Sequence, residues 1–343
     1  MYKLREADNQ QWKKLIRQCN RVNLLQTWEY GEAKRVVEGW EPVRYIIFDD
    51  KEPVGLVQIL SKSLPLFGGV ARINRGPLFL YNVVADGVFS EIIKNSLQAI
   101  CQEIVKNKKN YLVIAPEIEE SEANVHILER LGFGTAGGIP WSSSVLDLSL
   151  CEEALFKNLH GKWRNLLRKS EKMDLELEQT YTDEAMTFLM EKYSALQREK
   201  GFTGVPENIL MELKSQTKSD NRVQIFFARK DKIRIAGILV VTYGDSCTYL
   251  VGWNTPEGRQ LQANYFLLWR AVVSFKESGC QWFDLGGLNK DRTPTIAHFK
   301  SGLGGRNYTL VGEWQAHRYR FIPVVIWLFR KMFNGLGLET SLR

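Results

Sequence analysis

The sequence predicts a mixed α/β fold made of two tandem units. Three observations carry this reading. Apolar spacing switches repeatedly between a period of two and a period of 3.6, which excludes an all-helical or all-strand chain. A pattern of β-hairpin, helix and short apolar strand closed by glycine or proline occurs twice, in a repeat of about 150 residues that is too long for a solenoid. The chain, at 343 residues, also exceeds what one hydrophobic core usually fills, so two domains are expected.

In the first unit, Asn9 to about Asn20 reads as a helix, and a second, short one begins near Gln26. Val43–Asp49 and Val54–Ser61 are β-branched runs joined by the polar turn Asp49-Asp50-Lys51-Glu52, which is a hairpin pattern. Ala71–Phe79 reads as a strand interrupted by Arg75-Gly76-Pro77. Val84–Asn107 has helical spacing, with Val88, Ile92, Leu97, Ile100, Ile104 and Val105 on one side. Tyr111–Ala115 is short and wholly apolar, as a buried strand is, and Glu122–Leu131 is a helix ended by Gly132.

Thr135–Trp141 breaks the pattern and Ser143–Leu148 opens a new strand, which places a domain boundary at 147/148. One basic helix is expected over about Glu152–Lys172, then a strand at Leu175–Gln179 and helices at Asp183–Lys200 and Pro206–Gln216. Strands follow at Val223–Arg229, Ile235–Tyr243 and Cys247–Gly252. A helix from about Asn264 to Ser278 and the short strand Trp282–Leu285 repeat the close of the first unit.

Charge is unevenly placed. Residues 1–147 carry 18 basic and 18 acidic side chains, so the net +7 of the chain lies wholly after residue 147. Within 157–172, Lys157, Lys162, Arg164, Arg168, Lys169 and Lys172 face only Glu171, a local +5. Such asymmetry points to an anionic partner: nucleic acid, a phosphorylated substrate or a membrane surface.

Several classes are disfavoured. Five scattered cysteines without CxxC spacing do not make a disulfide scaffold or a cysteine-rich zinc site, and they suit a reducing cytoplasm. Four histidines with no HxxxH or HExxH pairing give no metal site, so no metal is expected. The polar stretch Met1–Gln10 does not read as a signal peptide, so none is expected, and no run reaches the roughly 18–20 apolar residues of a membrane span. Phe321–Phe329 is apolar between Arg318, Arg320, Arg330 and Lys331, so 318–331 suits either a helix docked on the core or a peripheral membrane contact.

Three constellations carry chemistry. In the first, Gln26-Thr27-Trp28-Glu29-Tyr30-Gly31-Glu32-Ala33-Lys34, Thr27 is an N-cap and Lys34 lies one turn after Tyr30. Lys34 either meets an anionic substrate group or is a solvated helix lysine. The second is the basic helix, whose Leu159, Trp163, Leu166 and Leu167 form a core-facing stripe. Its charges off that stripe suit a phosphate backbone or ordinary solvation. The third and strongest is Trp282-Phe283-Asp284-Leu285-Gly286-Gly287-Leu288, followed by His298-Phe299-Lys300-Ser301-Gly302-Leu303-Gly304-Gly305. Glycine after a buried strand admits a close backbone or ligand, and Lys300 between two glycine turns is placed to stabilise developing negative charge. Asp284 is either a base or a turn-holding carboxylate. There is no GxxxxGK[ST], no GxGxxG after a strand and no GxSxG, so a P-loop, a dinucleotide site and an acyl-enzyme serine are excluded as motifs and no cofactor is expected.

Together these segments resemble the Fem family of non-ribosomal peptidyltransferases, which build peptidoglycan cross-bridges. The resemblance covers nearly the whole chain. It rests on QTWEYGEAK at 26–34, RINRGPL at 72–78, KWRNLLRKSEK at 162–172, REKGF at 198–202, FDLGG at 283–287 and HFKSGLGG at 298–305. It implies two tandem acetyltransferase-like (GNAT-like) domains without a coiled-coil arm. Residues 1–147 plus 315–343 would form the acceptor-side domain and 148–314 the donor-side domain. It further implies transfer of an amino acid from aminoacyl-tRNA to an amine of a lipid-linked or nucleotide-linked peptidoglycan precursor, by a monomer. Lys34 resembles the lysine that contacts the acceptor's diphosphate region, and Arg198 a diphosphate-contacting arginine. Lys300, preceded by Phe299, resembles the catalytic lysine. Tyr30, Arg75, Asp284, Gly286 and Gly287 complete the expected substrate-binding set, and Lys162, Arg164, Arg168 and Lys169 are the expected grip on tRNA.

Two other classes stay open on the sequence. One is an acyl-CoA-dependent N-acyltransferase, although Gln260-Leu261-Gln262-Ala263-Asn264-Tyr265 lacks the last small residue of a pyrophosphate loop. The other is a non-catalytic, membrane-associated cell-wall protein anchored through 318–331.

Overall fold

The architecture is taken from a computed structural model, which describes residues 2–63, 69–81, 89–108, 111–202, 204–217, 222–288 and 293–317. Tyr2–Glu6 alternates in polarity and forms an edge strand, β1, that the sequence reading left unassigned. Helix α1 (Asn9–Ile16) opens with a reciprocal Asp8–Gln11 capping box and ends short of Asn20, because the chain turns at Arg21 with φ of 48°. Helix α2 (Trp28–Glu38) begins where Thr27 accepts from the Tyr30 N–H and ends at left-handed Gly39. The hairpin β2 (Glu41–Asp49) and β3 (Glu52–Lys62) then leads to β4 (Val70–Asn74) and β5 (Leu78–Phe79). Helix α3 (Phe89–Cys101) crosses over to β6 (Tyr111–Ala115), which runs parallel to β4. Helix α4 (Glu122–Arg130) and β7 (Gly134–Thr135) follow.

In the second part, β8 (Ser142–Asp147) precedes helices α5 (Glu152–Asn158) and α6 (Gly161–Ser170). Strand β9 (Glu176–Thr180), helix α7 (Asp183–Lys200) and helix α8 (Glu207–Gln216) lead into a meander. The meander is β10 (Val223–Lys230), β11 (Ile233–Tyr243) and β12 (Ser246–Asn254). Short α9 (Pro256–Gln260) and α10 (Ala263–Glu277) carry the chain to β13 (Trp282–Asp284), parallel to β12. Helix α11 (Pro294–Ser301), β14 (Arg306–Thr309) and β15 (Trp314–His317) complete the described chain. The first sheet has the order β1-β2-β3-β4-β6-β15-β7 and the second β14-β8-β13-β12-β11-β10-β9. Each contains one parallel pair joined by a long helix, which is the duplicated α/β plan read from the sequence.

The chain divides into two units. One holds Met1–Asn20, Leu25–Pro140 and the residues from Leu310; the other holds Arg21–Leu24 and Trp141–Thr309. The boundary therefore differs from the expected 147/148. Ser142–Asp147 hydrogen-bonds to β13 and β14, so it belongs to the second sheet rather than closing the first unit. Trp314–His317 pairs with β6 and β7 in the first sheet.

One expectation on the second unit is corrected. The basic helix is two helices, because Leu159 and His160 leave helical geometry. The break frees the His160 N–H to donate to the Gly302 carbonyl, 2.9 Å away, and lets Gly304 approach the Asn158 carbonyl. Lys300 lies between the glycine turns at Gly286 and Gly304, as expected, and sits on the last turn of α11. Of the expected core stripe, Leu159, Trp163 and Leu167 are buried with Phe226, Phe275 and Phe283, while Leu166 is only partly buried.

The QTWEYGEAK segment is held by a buried polar network. Gln26 Nε2 donates to the Asn74 and Gln58 carbonyls, and its Oε1 accepts from the Gln58 N–H at 2.7 Å. Gln58 Nε2 donates to the Leu25 and Thr27 carbonyls. Arg44 Nε donates to Gln58 Oε1, and its Nη2 reaches both the Trp28 carbonyl and Glu32. Burial pushes the Arg44 guanidinium down to about 10. Gly31 leaves room for this network. A Cβ there would lie 2.2 Å from Gln58 Oε1 and 2.6 Å from Arg44 Nη2. Gly31→Ala should therefore destabilise the chain by about 1–3 kcal/mol in urea unfolding despite its better helix propensity. A midpoint equal to or above wild type would contradict the packing argument.

Candidate active site

The parallel strands β12 and β13 pair only as far as Thr248 and Asp284, and then part. Beyond this point the chain after β13 stays with β8: Leu285 N–H donates to the Ser144 carbonyl and Leu288 N–H to the Ser142 carbonyl. On the other side, β12 carries one extra residue, Leu250, so that Tyr249 pairs with Val240 but Val251 with Leu239. Gly286 turns with φ of 70°, a region open to glycine. A Cβ there would lie 2.7 Å from the Tyr249 carbonyl oxygen and 3.4 Å from Lys300 Nζ. The result is a fork at the carboxyl ends of two parallel strands.

Lys300 reaches into this fork. Its ammonium donates to the Gly287 carbonyl at 3.1 Å and stands 5.1 Å from the centre of the Tyr249 ring. The side chain is buried, and burial lowers its pKa to about 8, with Asp284 opposing. Asp284 is occupied by the fold. Its Oδ1 accepts from Ser143 Oγ at 2.5 Å and from the Gly286 N–H at 2.8 Å, and its Oδ2 accepts from Tyr308 Oη at 2.8 Å. It holds the turn and supplies a negative charge near Lys300; of the two sequence readings, the turn-holding one matches these bonds. Burial also raises the Tyr249 phenol well above its ordinary value. Trp141 lies across Gly287, with ring carbons 3.1–3.7 Å from a Cβ built there, and is 43% exposed, so one wall of the fork is aromatic and open.

Phe299 packs against Tyr265 at 4.9 Å, edge to face, and against Trp163 at 6.1 Å, so Lys300's helix leans on the basic helix α6. On α6, Lys162, Arg168 and Lys169 are exposed. Arg164 is not: its Nη2 donates to the Lys157 and Leu159 carbonyls and fastens the break between α5 and α6. It serves the fold rather than the exposed cationic face.

The remaining predicted residues lie elsewhere. In the first unit Lys34 is buried and pairs with Glu38 at 2.5 Å, so it is not a solvated helix lysine. Lys62 stands over Trp40, its pKa lowered by burial with Lys34 adding and Glu38 opposing. Burial raises the neighbouring Tyr30 phenol, with Glu38 adding and Arg72 opposing. Arg72 pairs with Glu313. Arg75 forms a bidentate ion pair with Glu117, which fixes the turn between β4 and β5. Arg198 is exposed on the last turn of α7 in the second unit. Sequence reading missed Tyr249, Ser143, Tyr308, Lys62 and Arg72. A strand tyrosine or serine carries no signal until its neighbours are known. Among the described residues no group of His, Cys, Asp and Glu side chains suits a metal, and no helix is long and apolar enough to cross a membrane. Residues 318–331 lie outside the described residues.

Residues 156–301 match the model of the acetyltransferase (GNAT) domain family, a span that holds both α6 and the fork. No curated protein sequence matches the chain. Among solved structures, FemX superposes with a TM-score of 0.79 at 17% identity, over 94% of this chain and 99% of that one. L-PGS from Bacillus licheniformis gives 0.53 at 13%, over 95% and 97%. A tandem GNAT protein from the clavulanic acid biosynthesis pathway gives 0.50 at 12%, over 92% and 98%. The chain thus has a tandem GNAT-like fold. Within that class its architecture is of the FemX type, as the sequence resemblance implied.

A buried lysine costs stability while it is charged. The unfolded chain keeps the Lys300 proton up to about pH 10.5, whereas the folded chain releases it near 8, so this group makes stability rise with pH between those values. Lys300→Met should therefore be more stable than wild type at pH 7, by on the order of 1–3 kcal/mol. Thermal melts should show the difference shrinking from pH 8 to 10.5. A difference that does not vary with pH would contradict the assignment.

Proposed function

We propose that the protein transfers an aminoacyl group from aminoacyl-tRNA to an amine on a peptidoglycan precursor. The observation that carries the reading is the Lys300 ammonium, buried in the strand fork on a helix that packs through Phe299 against Trp163 on the core face of α6, the helix that also carries the exposed Lys162, Arg168 and Lys169. Aminolysis of an ester needs no protein nucleophile and no cofactor. The amine nitrogen bonds to the ester carbonyl carbon, the carbon–oxygen bond to the ribose breaks, the amine loses a proton and the ribose oxygen gains one. The enzyme's task is to hold the two groups about 3 Å apart and to stabilise the oxyanion. Lys300, protonated below about pH 8, supplies that stabilisation. Lys162, Arg168 and Lys169 hold the tRNA backbone. In the first unit, Lys34, with Lys62 and Arg72 nearby, receives the acceptor's phosphate-bearing part.

A second reading, acyl-CoA-dependent N-acylation, is favoured by the GNAT domain match. Against it, the connection from β12 to α10 is filled by the short helix α9, where a pyrophosphate loop would be needed. One experiment separates the two: incubation with charged tRNA pools or acyl-CoA, each with lipid-linked and nucleotide-linked precursors. Product from tRNA is expected, and product from acyl-CoA alone would overturn the proposal. Lys300→Met should abolish single-turnover transfer while the fold survives; an unchanged rate would rule Lys300 out. Neutralising Lys162, Arg168 and Lys169 together should weaken tRNA binding and reduce the log–log salt slope by roughly 2–3. An unaltered slope would remove α6 from the interface.

A further inference from the structure

Helix α11 ends one residue beyond Lys300, so the carbonyls of its last turn lack intrahelical partners. Three of them are met by the following backbone. The His298 carbonyl accepts from the Gly302 N–H, that of Lys300 from the Leu303 N–H, and that of Ser301 from the Gly304 N–H. The Phe299 carbonyl accepts instead from a side chain, the indole Nε1–H of Trp163 on α6, at 3.0 Å. That carbonyl belongs to the peptide unit from which Lys300 departs. The indole is itself immobilised: Trp163 is 3% exposed, lies against Tyr265 at 5.0 Å, and touches Gly302 so closely that a Cβ there would fall 2.6 Å from its Cδ1.

We infer that Trp163 is a positioning residue for Lys300: its N–H fixes the Phe299–Lys300 peptide plane and so the line along which the ammonium enters the fork. Burial of the ring alone would be served equally well by phenylalanine. The indole N–H adds a bond to one particular carbonyl, and that bond joins the cationic helix to the lysine helix. The kinetic consequence rests on the proposed role of Lys300 in transfer; the effect on the lysine itself does not. The charged and titratable groups around Lys300 are Asp284 on β13, Tyr249 on β12, and Tyr308 on β14, which bonds Asp284 and carries Arg21 and Arg306 over its ring. The one N–H of the Trp163 indole goes to the Phe299 carbonyl and to none of these groups, so a change in Lys300 on its substitution would report position.

The test uses the full chain with Trp163→Phe, which keeps an aromatic ring and removes the N–H. Gly302→Ala is the second variant; it keeps the tryptophan and pushes it off the carbonyl. Competitive labelling with trace acetic anhydride across pH, read at Lys300 by peptide mass, gives the titration of this one amine. In both variants Lys300 should titrate roughly half a unit to one unit higher than in wild type, as water gains access to a less constrained ammonium. Single-turnover transfer from charged tRNA should fall roughly five- to tenfold, with half-saturation for tRNA unchanged. Folded variants whose Lys300 labels and titrates as in wild type would overturn the inference. A shifted titration with no transfer by wild type would leave the positioning role standing and refute the proposed function.

Discussion

The site depends on one constraint: two parallel strands that must part where they end. β12 leaves through a bulge at Leu250, while the chain after β13 is kept on β8 by backbone hydrogen bonds. Gly286 makes the divergence possible and Asp284 fixes it from beneath through Ser143, Tyr308 and the Gly286 N–H. The gap exposes a carbonyl at Gly287 and an aromatic face at Tyr249, and these two surfaces hold the ammonium of Lys300. A lysine buried in this way is costly to the fold.

The charge asymmetry takes a definite form in the structure. The local +5 of 157–172 is divided by the break at Leu159-His160, and Arg164 is spent on closing that break. What remains outward on α6 is Lys162, Arg168 and Lys169. The same break is what admits the Gly302–Gly304 turn, so the division of the helix and the seating of α11 are one packing event. In the first unit Lys34 and Arg72 are instead buried singly, in the Lys34–Glu38 and Arg72–Glu313 pairs.

Much of the fold was legible because strands and helices announce themselves by period. The hairpins, the helix and short apolar strand that close each half, and the core positions Leu159, Trp163 and Leu167 follow from apolar spacing alone. The edge strand Tyr2–Glu6 did not, since an exposed edge has little apolar pattern. The boundary slipped because Ser142–Asp147 reads equally well as the end of one sheet or the start of another; its partners, β13 and β14, are distant in sequence. Of the site, glycine and lysine spacing pointed to Asp284, Gly286, Gly287 and Lys300. Spacing could not show that Arg75 would be taken by Glu117, or that Lys300 would lie on a helix. Those outcomes are decided by tertiary neighbours.

In the proposed function Lys300 acts as a cation toward the reacting carbonyl. The pH dependence of single-turnover aminoacyl transfer tests this most directly. The account predicts a rate that declines as pH rises through about 8, where Lys300 loses its proton. A rate that continues to climb from pH 8 to about 9.5 would contradict it and would make the neutral amine, acting as a base, the active form.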